Sequence, residues 1–495
     1  MASNGQAELP TAAASAPRLL WVTFAVIAAL KFTQLFLYGP IHTPDTAAYI
    51  EYAQHILASK TWLHDAGLSD SAIPLLAMRM VGYPALLAGA MAVFGEAWPY
   101  AIVLLQYALS FVTAYAIYRI AIELGLPPLF AIAVIAANLL SLSLTFDQCL
   151  LTDNLNYNLI ILATATLGFG AAPGRPLSWK QALLAGVLFM LAFLIREALQ
   201  FLIVVFVPLV LVRIWVAGKA NWQSSIVCCV LIVAPMFTAV QAYKSWNEYR
   251  TGERLITTVP QLTILFALGK MVSIDPDIFS GTTPIDRAGK RYFKNNPFGE
   301  IGAVNHQLFT EGYKATDIAR MAYAKYFDTW KERPRTMLRL FNKNISEKAA
   351  KLTVRPIGAI CETMEYGTGE RVCYDYRDLY RAIPSGFAGL PISAVAFFIA
   401  QTVEQTVAIL IFAAFLIGTP VIVVRRFIAQ RWSIDPASLL LAAFWSAYVG
   451  WTVAYGIVHV EDRYMAPVLP LSLVCGIYVW HETWRYYRNR LQPQR

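Results

Sequence analysis

The sequence predicts an all-α polytopic membrane protein. Hydrophobic residue types make up 57% of the 495 residues and charged types only 14%, against roughly 25% charged in a soluble globular chain. Ten apolar runs approach the ~20 residues that a helix needs to cross a bilayer. Threaded in order, these runs leave the Lys and Arg of the short connections on one side, as the positive-inside rule requires. Together these features exclude a disordered chain and a solvated multidomain enzyme. The balance of 40 basic against 31 acidic residues gives a net charge of +9. In a membrane protein such a balance more simply reflects Lys and Arg in short cytoplasmic loops, so it calls for no nucleic-acid partner.

Residues 1–17 are rich in Ala, Ser and Pro with no basic start, and read as a disordered tail, not as a signal peptide. Spans are expected near 19–38, 98–118, 128–146, 150–171, 181–196, 198–217, 224–242, 404–424, 436–457 and 464–481. The stretch 386–403 is also apolar, so hydropathy alone permits an eleventh span. With ten spans and a cytoplasmic N-terminus, five basic groups face inward: Arg119; Arg175 and Lys180; Arg213 and Lys219; Arg425, Arg426 and Arg431; Arg485, Arg488 and Arg490. With eleven, the last two groups face outward. Charge therefore favours ten, with 386–403 re-entrant or interfacial and Glu404 marking its end. The chain divides into an N-terminal transmembrane module 18–242 with a first external loop 39–97, an external segment 243–385, a C-terminal transmembrane module 386–484 and a cytoplasmic tail 485–495.

Cys149, Cys228, Cys229 and Cys475 lie in or beside apolar runs and read as small hydrophobes. Cys361 and Cys373 sit in a polar stretch, where they pair if it faces an oxidising compartment and are otherwise lone thiols.

In the external segment, Thr316-Asp317 opens a helix with Ala319, Tyr323, Tyr326, Phe327 and Trp330 on one side, closed by Arg333-Pro334. A second helix carries Met337, Leu338, Leu340, Phe341 and Ile345. Lys325, Lys331, Arg333, Arg335, Arg339, Lys343, Lys348 and Lys351 make the pair basic. It reads as a solvated face, or as a contact for anionic headgroups or an anionic saccharide.

The first external loop opens Ile41-His42-Thr43-Pro44-Asp45-Thr46. After it, Tyr49, Ile50, Ala53, Ile56 and Leu57 oppose Glu51, Gln54 and His55, the pattern of an amphipathic helix in the membrane plane. Asp45 precedes that helix and reads either as its N-cap or as a general base at the water–lipid boundary. Arg79-Met80-Val81-Gly82-Tyr83-Pro84 then opens a second in-plane helix, with Pro84 tolerated in its first turn. Asp147, Asp153, Arg196, Glu197, Glu461, Asp462 and Arg463 fall at tight turns on the same outer boundary. Ionisable residues are costly near lipid and face a cavity or a partner, so their gathering points to a polar site there.

Several of these elements resemble the GT-C class of integral-membrane glycosyltransferases, closest to bacterial relatives of protein O-mannosyltransferases and aminoarabinose transferases. The resemblance rests on Pro44-Asp45-Thr46-x-x-Tyr49, Arg79-x-x-Gly82-Tyr83-Pro84, Leu151-Thr152-Asp153, Arg196, and Glu461-Asp462-Arg463-Tyr464-x-x-Pro467-x-x-Pro470. It covers roughly 20–215 and 455–475. Many relatives carry Asp-Glu where this chain has Asp45-Thr46, and 243–385 matches no family element.

The resemblance implies a GT-C-like helix bundle and a sugar donor on a polyprenyl phosphate, typically undecaprenyl phosphate. It implies an active site on the periplasmic face of a bacterial inner membrane. The acceptor is a hydroxyl of a cell-envelope glycan, lipid or protein. Asp45 is then the candidate base of an inverting transfer, and Arg196 and Arg463 bind the leaving phosphate, which needs cations and not an acid. Tyr49, Arg79, Tyr83, Asp147, Asp153, His459, Glu461 and Tyr464 are candidate substrate contacts. Asp147 and Asp153 are also the only candidates for a divalent cation such as Mg²⁺ or Mn²⁺, too few to define a site.

Plainer readings stand beside these. Arg196 pairs locally with Glu197, and Arg463 with Glu461 or Asp462; Asp153 caps its helix; His42 and His459 are solvated. Lys31 either snorkels outward, the preferred reading, or meets donor phosphate. Two other functions compete. A lipid-linked polysaccharide polymerase or ligase would centre on arginines in a large external loop. A lipid-sugar transporter or flippase would show repeated halves and midplane charges, and neither is visible.

Overall fold

The structure is a computed structural model and describes residues 10–59, 79–197, 199–218, 222–294, 297–346, 354–370, 372–387 and 390–491. Among these residues the chain is helical throughout, with no strand beyond one isolated bridge between Ile41 and Cys149. Five helical segments are long and apolar enough to cross a membrane: Pro17–Tyr38, Gly82–Glu123, Trp222–Tyr249, Ile392–Ala429 and Pro436–Gly456. Shorter helices complete the bundle, among them Thr152–Gly168, Trp179–Ile195 and Leu199–Ala217. Many apolar side chains point outward, including Phe36, Trp215 and Ile392. That is expected where the surrounding solvent is hydrocarbon.

Glycine sets two helix approaches. A Cβ on Gly82 would lie 2.7 Å from the Leu194 carbonyl carbon, so only glycine lets the Gly82–Phe94 helix reach the end of Trp179–Ile195. A Cβ on Gly186 would lie 2.8 Å from the Ile232 carbonyl oxygen, which brings Trp179–Ile195 against Trp222–Thr251.

Several expectations are corrected. The first helix begins at Pro10, inside the stretch expected to be a disordered tail; its Ala-rich start is a strong helix former. Residues 1–9 of that tail lie outside the described residues, as do 60–78 of the first loop. The run 128–146 is not one helix. Pro128–Leu139 ends and Leu142–Phe146 follows, and this fold-back places Asp147 against the first span. Glu404 breaks nothing. Ile392–Ala413 continues through a wider π-turn at Ala414–Gly418 into Thr419–Ala429. Its 38 residues run ~57 Å at 1.5 Å each, about twice the hydrocarbon core, so one long helix replaces a span plus an interfacial piece. Glu404 instead accepts the Ile357 N–H at 2.6 Å, capping the helix Pro356–Thr368 from outside it. The last helix, Leu469–Leu491, carries Arg485, Arg488 and Arg490, so the expected tail is helical through Leu491.

The segment after Trp222–Thr251 has its own core. Leu265, Leu268, Met271, Phe279, Val304, Leu308, Ile318, Tyr326 and Leu340 pack together, apart from the main bundle core. Its helices Ala315–Glu332 and Pro334–Ser346 lie where the sequence places them. Part of their basic face is paired: Lys325 meets Asp286 at 2.6 Å, and Arg333 grips Asp275 at 2.7 and 2.8 Å. Lys348 and Lys351 lie outside the described residues. Cys361 and Cys373 form a disulfide.

Candidate active site

Stretches far apart in the chain converge on one cavity of about 230 Å³, and four of them bring its central charges. The first is the turn after Pro10–Tyr38. Its backbone pairs with the turn at 148–150, Ile41 N–H to Gln148 O and Leu150 N–H to Ile41 O, both at 3.0 Å. The Thr46 hydroxyl donates to Leu150 O at 3.1 Å. This lacing fixes Asp45 beside the start of Thr152–Gly168, where Asp153 sits in the first turn with its charge favoured by the helix dipole. Arg196 leaves the end of Trp179–Ile195 in extended conformation. Arg463 comes from the single turn Asp462–Met465, anchored by the Trp451 indole N–H on Tyr464 O at 2.8 Å.

Asp45 directly precedes the helix Thr46–Ser59, and arginines engage both oxygens of its carboxylate. One carboxylate oxygen accepts from Arg79 at 2.9 Å and the other from Arg463 at 3.1 Å. Its side chain keeps 34% exposure, so it is reachable from the cavity. Arg463 also grips Glu461 at 2.6 Å and lies 3.6 Å from Asp153. Arg196 forms its ion pair with Asp153, while its charge also acts on the neighbouring Glu197. The side chain of Asp462, the other local candidate for Arg463, lies outside the described residues. Aromatic rings carry the guanidiniums: Arg196 lies 4.8 Å from the Tyr464 ring centre and Arg79 4.9 Å from that of Tyr49. Such stacking holds an arginine's plane while leaving its edge free to bind.

Charge coupling sets the protonation states. Burial raises the affinity of Asp45 for a proton, but the charges of Arg79 and Arg463 and their hydrogen bonds outweigh it and hold the carboxyl below its usual range. Burial likewise opposes ionisation of Glu461, yet the His459 hydrogen bond and Arg463 bring it down to about 2. Burial, reinforced by Lys270, keeps His459 below its usual value despite Glu461. Lys270 can only donate, so at 2.8 Å the His459 Nδ1 accepts. Nε2 then carries the proton and donates to Glu461 at 3.0 Å.

The cavity is lined by Asp45, Tyr49, Arg79, Asp153, Arg196, His459, Glu461, Arg463 and Tyr464, nine of the eleven candidates. Two are elsewhere. Tyr83 is fully buried against Tyr49, ring centres 5.2 Å apart, so it backs a wall and does not line the cavity. Asp147 is sealed inside the bundle. It accepts from Lys31 and Ser143, both at 2.7 Å, and from Asn154 and Tyr157. Lys31 therefore neither snorkels nor meets a donor, because its own buried counterion satisfies it. The same arrangement removes the Asp147–Asp153 metal reading, since each carboxylate is neutralised by a different cation. Among the described residues, no group of three or more His, Cys, Asp or Glu side chains is placed to hold a metal ion.

No protein-family model and no curated protein matches the sequence. The site's meaning therefore rests on its own geometry.

Sequence reasoning missed one wall. Val259, Leu262, Thr263 and Phe266 of the helix Val259–Val272, with Ile301, face the charged side. An apolar run ending in Lys270 was the available signal, but a 14-residue helix reads as ordinary core until its charged neighbours are known.

Proposed function

We propose that this cavity transfers a sugar from a polyprenyl-phosphate donor to a hydroxyl of a glycan, lipid or protein acceptor. The reading rests chiefly on one observation: a reachable carboxylate, Asp45, is held between two guanidiniums on a cavity that is charged on one side and apolar on the other. A lipid-tethered sugar phosphate needs that pairing, with an apolar wall for the first prenyl units and cations for the phosphate.

The acceptor oxygen attacks the anomeric carbon, and the carbon–oxygen bond to phosphate breaks with inversion. Asp45 takes the acceptor proton. The departing phosphate gains charge, which Arg196 and Arg463 receive. In the resting state Asp45 is a weak base, because Arg79 and Arg463 stabilise its anion. A donor phosphate competes for Arg463 and relaxes that stabilisation, so the base strengthens as the donor binds.

Two features support a site on the outer face of a bacterial cytoplasmic membrane. The five basic groups face inward when the cavity faces out, and the Cys361–Cys373 disulfide belongs to an oxidising compartment. Three guanidiniums on one cavity also suit a lipid diphosphate, the donor of a polysaccharide polymerase or ligase. One experiment separates the two: purified protein is incubated with a panel of polyprenyl-phosphoryl sugars and acceptors. Released polyprenyl monophosphate supports the proposal; turnover only with diphosphate donors supports the second reading. Flux of lipid-linked sugar without any transfer would favour a transporter.

A further inference from the structure

At the far end of the helix that follows Arg196 lies a second built site. Arg213 is buried, 2% exposed. One of its terminal nitrogens donates to Phe169 O at 3.1 Å, while its Nε and other terminal nitrogen have no hydrogen-bond partner. Among the described residues no carboxylate pairs with it; the nearby Glu123 accepts the Gly170 N–H at 2.8 Å instead. Arg213 lines a cavity of about 200 Å³ with Leu177, Ser178, Ser225, Cys228 and Cys229. The cavity lies between the starts of Trp179–Ile195 and Trp222–Thr251 and the end of Leu199–Ala217. From Leu199 to Arg213 the helix rises roughly 21 Å, which puts this cavity at the opposite membrane boundary from the candidate active site. Arg175 and Lys180 belong to the same boundary.

A buried guanidinium stays charged and is costly without a counter-anion. Its two unpaired nitrogens are closed to solvent, and the side chain borders a mostly apolar recess with serine hydroxyls nearby. We propose that this cavity binds a phosphate oxyanion through Arg213. The apolar lining fits a phospholipid headgroup entering with the top of its acyl chains; free phosphate is the other source of the same chemistry.

The test uses full-length protein, delipidated in neutral detergent, with thermal unfolding and the rate of Cys229 alkylation as readouts. The probes are phosphatidylglycerol, inorganic phosphate and, as a lipid without phosphate, diacylglycerol. Phosphatidylglycerol should raise the unfolding midpoint and slow Cys229 alkylation, and diacylglycerol should do neither. Arg213→Met should weaken phosphatidylglycerol binding about 10- to 100-fold, the loss of a charge-assisted contact. If that variant does not fold, Ser225→Phe, which fills the recess with Arg213 intact, should abolish the same protection. An equal response to inorganic phosphate would support the site and assign it to the free ion. Equal responses of wild type and variants, or no response of wild type to either phosphate probe, would overturn the proposal.

Discussion

Asp45 and Arg463 stand 418 positions apart in the chain and meet at 3.1 Å. The contact ties the turn after the first span to the turn before the last helix, so the cavity exists only when both ends of the bundle have assembled. Asp45→Asn leaves a hydrogen-bonding side chain in place and removes the anion. The expected outcome is a fall in transfer rate of about 10²–10⁴, with the fold retained and an unfolding midpoint lowered only by the loss of the two arginine pairs. Release of polyprenyl phosphate, measured beside a thermal melt, checks it.

The pH response of stability follows from the signs of the shifts. His459 is held neutral, its value below 6.5, so stability falls as pH drops from about 6.5. Asp45 and Glu461 are depressed, Glu461 from 4.5 to about 2. Their contribution is fully present above about 4.5 and is lost as pH falls toward 2. Melts recorded from pH 9 to 3 should therefore show a plateau above pH 7 and two descending steps. His459→Gln should flatten the first step and Glu461→Gln should shrink the second.

Lys31 and Asp147 are both fully buried and 2.7 Å apart. Lys31→Met leaves an unpaired carboxylate inside the bundle and should cost about 3–5 kcal/mol. Adding Asp147→Asn should recover much of that loss, because no charge is then stranded. Unfolding of the single and double variants in detergent measures the recovery; full additivity would contradict the pairing.

Gly82→Ala should separate the Gly82–Phe94 helix from the backbone at Leu194, next to Arg196. An overpacking cost of about 1–3 kcal/mol is expected, with a loss of transfer activity that persists below the variant's melting temperature.

Much of the bundle was legible because a spanning helix announces itself by composition and because basic loops report orientation. The boundary acids and arginines were legible for a related reason: an ionisable residue beside lipid needs a partner. What composition does not encode is which partner. Asp147 and Asp153 look alike at six positions apart, yet one turns inward to Lys31 and the other outward to Arg196. Nothing local distinguishes them, since the choice depends on the fold-back at 140–142 and on a first span reached across 116 positions. Glu404 misled for the same reason, because its cap receives an amide from a distant helix. Tyr83 carries a motif position but its ring packs inward.

The most direct measurement is polyprenyl phosphate release in proteoliposomes supplied with polyprenyl-phosphoryl sugar and a hydroxyl acceptor, comparing wild type with Asp45→Asn and Arg463→Met. The account predicts product from wild type and a loss of at least about a hundredfold in both variants, with folding retained. Turnover by Asp45→Asn at the wild-type rate would contradict it.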